Sequence, residues 1–368
     1  MRAEVAIVGN GVAGYACAAR LARHGIRPLL IGRGLPVDRP PLTKASLADG
    51  EPRLLATAER LAERGIDLLD AMVDEADLGT RRLTAGGEEV EAEAVVLATG
   101  LSYRPPRVPG LDAAHVNATP AGMRRLAAAI AGGRCRVTVI GGGLIGVETA
   151  ATVAAQGHDV TVLDLFERPF ERLHDPLPAI AAATLGQLGI TFIGGAGVEE
   201  VVSEPSGHVP CRFEGGSVTA DVLVAAMGGR AAAPPGLAAA AGLPLEVGPD
   251  LAVPGLDRVH AAGDLVLVPH ARFGPIRFPH WDAAIGTGEQ AADAIAGVAG
   301  PYERLPYWWS DIGSRRLAEV GWAAAAATWA DESGIHVGRD TSGSAVAALV
   351  VDEPRRLREA RALVLDGS

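Results

Sequence analysis

Three glycines recur at one spacing in two places: Gly9, Gly11 and Gly14 in Gly9-Asn10-Gly11-Val12-Ala13-Gly14, and Gly141, Gly143 and Gly146 in Gly141-Gly142-Gly143-Leu144-Ile145-Gly146. The chemistry this spacing serves is the seating of a diphosphate. The first glycine permits a tight turn, the second lets a pyrophosphate approach the backbone, and the third lets a helix close on a strand. The helix N-terminus then offers unpaired N–H groups and partial positive charge to the anion. In a chain with 47 glycines the spacing alone decides little, so the surrounding elements must carry the reading.

Each turn needs a buried strand before it and a helix after it. Val5-Ala6-Ile7-Val8 precedes the first and Val137-Thr138-Val139-Ile140 the second, each the length of a buried parallel strand. Helices follow over 15–24 and 147–156, stopped at Gly25 and Gly157, where glycine fits the left-handed position that ends a helix. Two dinucleotide sites are therefore predicted.

Further along, Pro28-Leu29-Leu30-Ile31 leads into a proline-rich loop over 35–42, and Ala94-Val95-Val96-Leu97-Ala98-Thr99-Gly100 reads as a buried strand ending in a glycine turn. Pro105-Pro106 and Pro109-Gly110 mark a linker. A second unit then closes on Val222-Leu223-Val224-Ala225-Ala226-Met227-Gly228-Gly229, in the role of the 97–100 segment. After Pro234-Pro235, Arg258-Val259-His260-Ala261-Ala262-Gly263-Asp264 reads as a strand delivering an acid at its carboxyl end, where ligands of open α/β sheets sit. The tail carries Trp308, Trp309 and Trp322, a strand over 344–351 and a basic helix. The expected fold class is α/β: two Rossmann-like, three-layer dinucleotide-binding domains, the first discontinuous (1–110 and 230–300), the second over 111–229, with a small α+β C-terminal interface domain over 301–368.

Composition agrees with a globular protein: 48% hydrophobic, 21% charged and only 4% aromatic residues over 368 positions. The formal charge of −11 argues against a general nucleic-acid surface. Arg315-Arg316 and Arg355-Arg356-Leu357-Arg358 could still meet an acidic protein partner, or simply line a solvated face. Met1-Arg2 runs almost directly into the first strand and no stretch approaches the ~20 apolar residues of a membrane span, so a cytoplasmic protein without a signal peptide or membrane association is expected. Cys17, Cys135 and Cys211 lie far apart and form no CxxC, which predicts neither a disulfide relay nor a metal set.

Together these residues resemble the pyridine nucleotide-disulfide oxidoreductase superfamily of two-dinucleotide-fold flavoproteins. Within it the chain is most similar to the NADH-dependent ferredoxin reductases that serve oxygenases and cytochromes P450, which share their fold with apoptosis-inducing factor. The markers are Arg39-Pro40-Pro41-Leu42-Thr43-Lys44, Ala98-Thr99-Gly100, the run from Gly141 to Glu148, Ala261-Ala262-Gly263-Asp264, His280-Trp281 and Trp309-Ser310-Asp311. The resemblance implies noncovalent FAD at the first glycine turn, with Gly9, Gly11, Val12, Ala13, Gly14, Arg33, Arg39, Lys44, Thr99, Gly100, Gly263, Asp264, His280 and Trp281 as candidate contacts. It implies NADH or NADPH at the second, with Gly141, Gly143, Leu144, Ile145, Gly146, Glu148, Asp164 and Gly228. Asp264 would accept hydrogen bonds from the ribityl chain, Trp281 would pack near the flavin, Lys44 would sit near its reactive face, and Glu148 would face the nicotinamide. Such an opposite-charge pair would steady the carboxamide and the charge moving onto the flavin. Asp164 follows the strand over 160–163, 18 residues after Gly146, where an acid binds the ribose hydroxyls and repels a 2′-phosphate; Arg168, close by, offsets that preference.

The chain departs from the family in places. Gly32-Arg33-Gly34 stands where the family has an acid for the FAD ribose, the nearest acid being Asp38. Pro279 replaces a usual Glu, Thr287 a common Gln, and Ile312-Gly313 a glutamine and an aromatic. The expected activity is hydride transfer from NADH to FAD and single-electron transfer to a ferredoxin-type iron–sulfur protein. Two alternatives stay open: a reductase or oxidase acting directly on a small organic molecule or oxygen, and an FAD-binding redox sensor. Monomer and homodimer are both compatible with the sequence.

Overall fold

A computed structural model describes residues 1–103, 108–204, 207–232, 234–237 and 243–367; of the expected linker, Pro105 and Pro106 lie outside them. The chain divides into two compact units. The first comprises Met1–Asp38, Leu54–Ser102 and Arg230–Trp308, the second Arg39–Arg53, Tyr103–Gly229 and Trp309–Ser368. These boundaries differ from the three segments expected, because Arg39–Arg53 groups with the second unit and so does most of the tail.

The first unit is built on a seven-stranded sheet with the order Asp67–Leu69, Pro28–Ile31, Arg2–Val8, Glu88–Leu97, Arg82–Ala85, Val73–Asp77, and with Val259–Ala261 also on Glu88–Leu97. Strand Arg2–Val8 is central and parallel to both neighbours, with Val8 level with Ile31 and with Leu97. A strand covered on both faces must be apolar throughout, and Val5 to Val8 are all buried. Helix Val12–Arg23 buries Val12, Ala13, Gly14, Cys17, Ala18 and Leu21, a face of mostly small side chains. That face admits helix Trp281–Ile295 at very short range: a Cβ on Gly288 would lie 2.3 Å from the Ala13 carbonyl oxygen. Arg20 forks onto Asp293 at 2.7 and 3.0 Å to fix the same pair of helices.

The second unit has a four-stranded parallel sheet, ordered Thr191–Ile193, Asp159–Leu163, Arg136–Ile140, Val222–Ala225. A three-stranded antiparallel sheet, Val198–Val201, Val209–Phe213 and Gly216–Ala220, belongs to it as well. Helix Leu144–Ala155 buries seven residues, including Glu148 and Thr149. A helix hidden on so many sides needs cover beyond one sheet face. The segment Arg39–Arg53 supplies part of it, with Thr152 Oγ1 donating to the Thr43 carbonyl at 2.8 Å. The tail forms a five-stranded sheet, Tyr307–Ile312, Arg315–Gly321, Ala345–Val351, Ile335–Arg339, Thr328–Glu332, backed by helix Leu357–Asp366. His174 anchors that sheet: it stacks on Trp329 with ring centroids 3.6 Å apart and pairs with buried Glu319. Burial disfavours the charged imidazole, but the hydrogen bond and charge of Glu319 outweigh it, and the His174 pKa is raised.

The helix contact at Gly288 yields a stability prediction. Gly288→Ala drives a methyl into the Ala13 carbonyl and is expected to cost about 2–3 kcal/mol in denaturant unfolding. Gly186→Ala, in helix Leu177–Gln187 with nothing within 4 Å of the new Cβ, should stabilise by ~0.5–1 kcal/mol. Equal effects for the two would show that the close approach is not what Gly288 serves.

Candidate functional site

The two glycine turns have nearly the same geometry. Gly9 and Gly141 take φ of +111° and +112°, and a Cβ on either would lie 2.3–2.4 Å from the carbonyl oxygen of Ala98 or Ala226 respectively. A Cβ on Gly14 or on Gly146 would lie 1.9 Å from the carbonyl oxygen of Gly9 or Gly141. The outer glycines of each motif are thus required by the protein's own packing. Gly11 and Gly143 are different: nothing lies within 4 Å of a Cβ there, so the open space beside them is what a pyrophosphate would fill. Both helices begin on these glycines without a side-chain cap and with no acid in the first turn, whereas Thr57 and Thr119 cap helices Ala58–Glu63 and Pro120–Ile130. Uncapped N–H groups at two open turns fit two diphosphates.

In the first unit, Thr99 and Gly100 follow strand Glu88–Leu97, and the Thr99 hydroxyl donates to Ala232 O at 3.3 Å. Gly263 and Asp264 open a short 3-10 turn directly after strand Val259–Ala261. Gly263 takes φ +82°, and its Cβ position lies 2.8 Å from Ala13 Cβ, which sets the start of this turn against the helix that follows the first glycine turn. Thr287, standing where glutamine was expected, accepts the Gly263 N–H at 2.9 Å and thereby fixes the Asp264 turn. His280 is the N-cap residue and Trp281 the first residue of helix Trp281–Ile295. Trp281 Nε1 donates to Asp38 at 2.8 Å, so the nearest acid to Arg33 in sequence is engaged elsewhere. Arg33 itself is exposed. The acid at this strand end is Asp70, which accepts the Gly34 N–H at 2.8 Å, while Asn10 Nδ2 donates to the Arg33 and Gly34 carbonyls. Asp70 directly follows the neighbouring strand Asp67–Leu69 and carried no sequence signal.

The second unit holds Arg39, Lys44, Glu148, Asp164 and Gly228. Glu148 is buried, and its carboxylate receives three donors: Thr43 Oγ1 at 2.6 Å, Ser310 Oγ at 2.7 Å and Lys44 Nζ at 2.9 Å. The expected Lys44–Glu148 pair therefore forms, and two hydroxyls not singled out as contacts complete it. Breaking such a pair from one side leaves a buried charge and costs about 3–5 kcal/mol. Arg39 donates to Ala118 O at 3.3 Å and fixes the entry to the Pro40–Thr43 turn. Asp164 accepts the Gly142 N–H on one oxygen and the Phe166 N–H at 3.0 Å on the other, which ties the strand end to the glycine turn. Arg168 lies 3.7 Å from both Glu171 and Asp175, so its charge is already answered. On the other side of the turn, Ile145, Ala226, Met227 and Gly228 help line a shallow concavity open to solvent.

None of the three thiols is in a disulfide, burial raises the pKa of Cys17 and Cys135, and it pushes Cys211 up to about 11. All three are thus held away from the reactive thiolate form.

Residues 3–288 match the family model described as pyridine nucleotide-disulphide oxidoreductase. The chain belongs to that family. As a member it is an NAD(P)H-dependent flavoprotein oxidoreductase that uses FAD. It is 32% identical to the ferredoxin–NAD(+) reductase component of the anthranilate 1,2-dioxygenase system of Burkholderia cepacia, over 98% of this chain and 94% of that protein. It is 29% identical to human apoptosis-inducing factor 3 over 87% of this chain, which spans about half, 55%, of the human protein's length. The ferredoxin reductase for the CYP199A2 system from Rhodopseudomonas palustris superposes with a TM-score of 0.90 at 27% identity, covering 98% of this chain and 94% of that one. Among the described residues no helix of this family member is long and apolar enough to cross a membrane.

The turn geometry separates binding from packing. Gly143→Ala should leave the melting temperature unchanged while weakening NAD(P)⁺ at least about tenfold, because its methyl meets only the open space. Gly146→Ala should lower the melting temperature first. Calorimetric binding together with thermal melts reads both, and unchanged affinity in Gly143→Ala would remove the nucleotide from that turn.

Proposed function

We propose that the protein takes electrons from NADH and delivers them singly to an iron–sulfur protein of the ferredoxin class. The observation that carries the reading is the buried Glu148, joined to Lys44 just inside the helix that follows the second glycine turn. Bound FAD supplies the chemistry that accepts a hydride and releases electrons one at a time. Glu148 offers negative charge toward a nicotinamide ring that becomes cationic, and Lys44 holds that carboxylate from one side. Thr43 and Ser310 hold the carboxylate in place, so no reorganisation is needed when the charge moves. In the first unit the Gly11 opening and Asp264 suit the diphosphate and ribityl hydroxyls of FAD.

Asp164 favours NADH over NADPH. Its carboxylate is pinned at the strand end by Gly142 and Phe166, a 2′-phosphate would meet like charge there, and Arg168 is already paired. The ferredoxin-class acceptor rests on the Burkholderia component, whose likeness extends over 98% of this chain and hence into the tail. With the thiols held protonated, electrons leave without a disulfide relay.

An anaerobic titration with NADH and NADPH, followed by turnover with and without an added [2Fe–2S] ferredoxin, tests the proposal. NADH should bleach the flavin bands at far lower concentration than NADPH, and sustained turnover should require the ferredoxin. Turnover that ignores ferredoxin and saturates with a small quinone would replace this acceptor with a small molecule. Glu148→Gln should slow flavin reduction at least about tenfold, or ~1.4 kcal/mol in the barrier, by stopped-flow spectroscopy. A parental rate would take Glu148 out of the reaction. Replacing Cys17, Cys135 and Cys211 together by serine should leave flavin reduction within about twofold of the parent. Its loss in a folded protein would restore a thiol to the mechanism.

A further inference from the structure

The segment before helix Pro120–Ile130 carries a side chain that the family motifs do not explain. His115 pairs with the edge strand Val222–Ala225: its N–H bonds to Leu223 O and its carbonyl accepts from Ala225 N, both at 2.8 Å. Two residues on, Asn117 therefore lies past the carboxyl end of the sheet. Thr119 caps the next helix, and a Cβ on Gly122 would come within 1.9 Å of Val116 O, so this backbone is tightly fixed. Asn117 is 3% exposed. Its Nδ2 donates to Thr149 Oγ1 at 3.4 Å, while its Oδ1 has no hydrogen-bond partner among the described residues.

A buried carbonyl oxygen without a donor is destabilising and calls for a reason. Asn117 lines the concavity formed with Ala118, Ile145, Ala226, Met227 and Gly228. The topology decides which half of a dinucleotide belongs there. The pyrophosphate goes to the central turn after Arg136–Ile140, and the acid for the adenosine ribose, Asp164, follows the strand on one side of it. The concavity follows the strand on the opposite side, Val222–Ala225, and so takes the nicotinamide half. We infer that Asn117 is a nicotinamide-binding residue whose Oδ1 accepts a hydrogen bond from the carboxamide NH2 group. This rests on the pyridine-nucleotide reading of the second turn and adds to it the group that recognises the amide. Substrates lacking the amide nitrogen leave the Asn117 oxygen buried and unpaired, which makes the position a determinant of specificity.

The test uses the oxidised holoenzyme, calorimetric binding, and two probes: NAD⁺ and its 3-acetylpyridine analogue, in which a methyl group replaces the NH2. The parent should prefer NAD⁺ by about five- to tenfold. Asn117→Leu should abolish that preference by weakening NAD⁺ while leaving the analogue's affinity unchanged, and its melting temperature should stay level, because the unsatisfied acceptor and the long bond to Thr149 go together. Undiminished discrimination in Asn117→Leu overturns the inference, as does a lowered melting temperature with discrimination intact. A parent that binds neither probe overturns the pyridine-nucleotide reading itself, and this inference with it.

Discussion

A carboxylate inside a protein has to be met by donors, and in the second unit that requirement falls on Glu148. Leaving it bare would cost several kcal/mol, comparable with a large fraction of a domain's net stability. The donors come from far along the chain, 105 positions away at Thr43 and 162 at Ser310. The proline-rich segment and the first strand of the tail are therefore drawn onto helix Leu144–Ala155 by the same residue proposed to face the nicotinamide. Fold and chemistry share one side chain. Ser310 is itself fully buried, so its hydroxyl is committed to this task.

The two glycine turns were legible because their constraint is local and steric: a glycine five residues before another must present its carbonyl where a Cβ would be, and only glycine allows it. Strand Val259–Ala261 and the acid after it were equally readable, since a buried parallel strand is an unbroken apolar run with its ligand residues at the carboxyl end. Thr43 and Ser310 fell within two of the marker segments, but nothing in the sequence said that their hydroxyls meet one carboxylate; only the fold says that. Asn117 was hidden for another reason. Its meaning depends on His115 extending the sheet edge, a pairing that no periodicity announces. The proline-rich segment gave no clue to the unit it packs in, since prolines remove the pattern that would have shown its buried face.

The likeness of the two turns makes their difference informative. At the second, a strand-end carboxylate, Asp164, accepts from the turn's Gly142 N–H. At the first, the direction is reversed: the turn residue Asn10 donates to the strand-end carbonyls of Arg33 and Gly34. The link between strand and turn is preserved while the negative charge is removed from that strand and supplied from the next one by Asp70. The Arg33 departure is thus compensated mechanically at the turn, and any hold on a ribose must be organised differently there.

The path of the chain has a consequence for how the molecule is made. It passes from one unit to the other after residues 38, 53, 102, 229 and 308. At synthesis rates of roughly 5–20 residues per second, the N-terminal sheet waits for the strand Val259–Ala261, and helix Leu144–Ala155 waits longer still for Ser310. Neither unit is a contiguous stretch that a ribosome could finish before starting the other. The two must mature together, late, with Glu148 and the apolar flanks of the first sheet exposed in the meantime, so this architecture places a heavier demand on chaperones than two successive domains of the same size would.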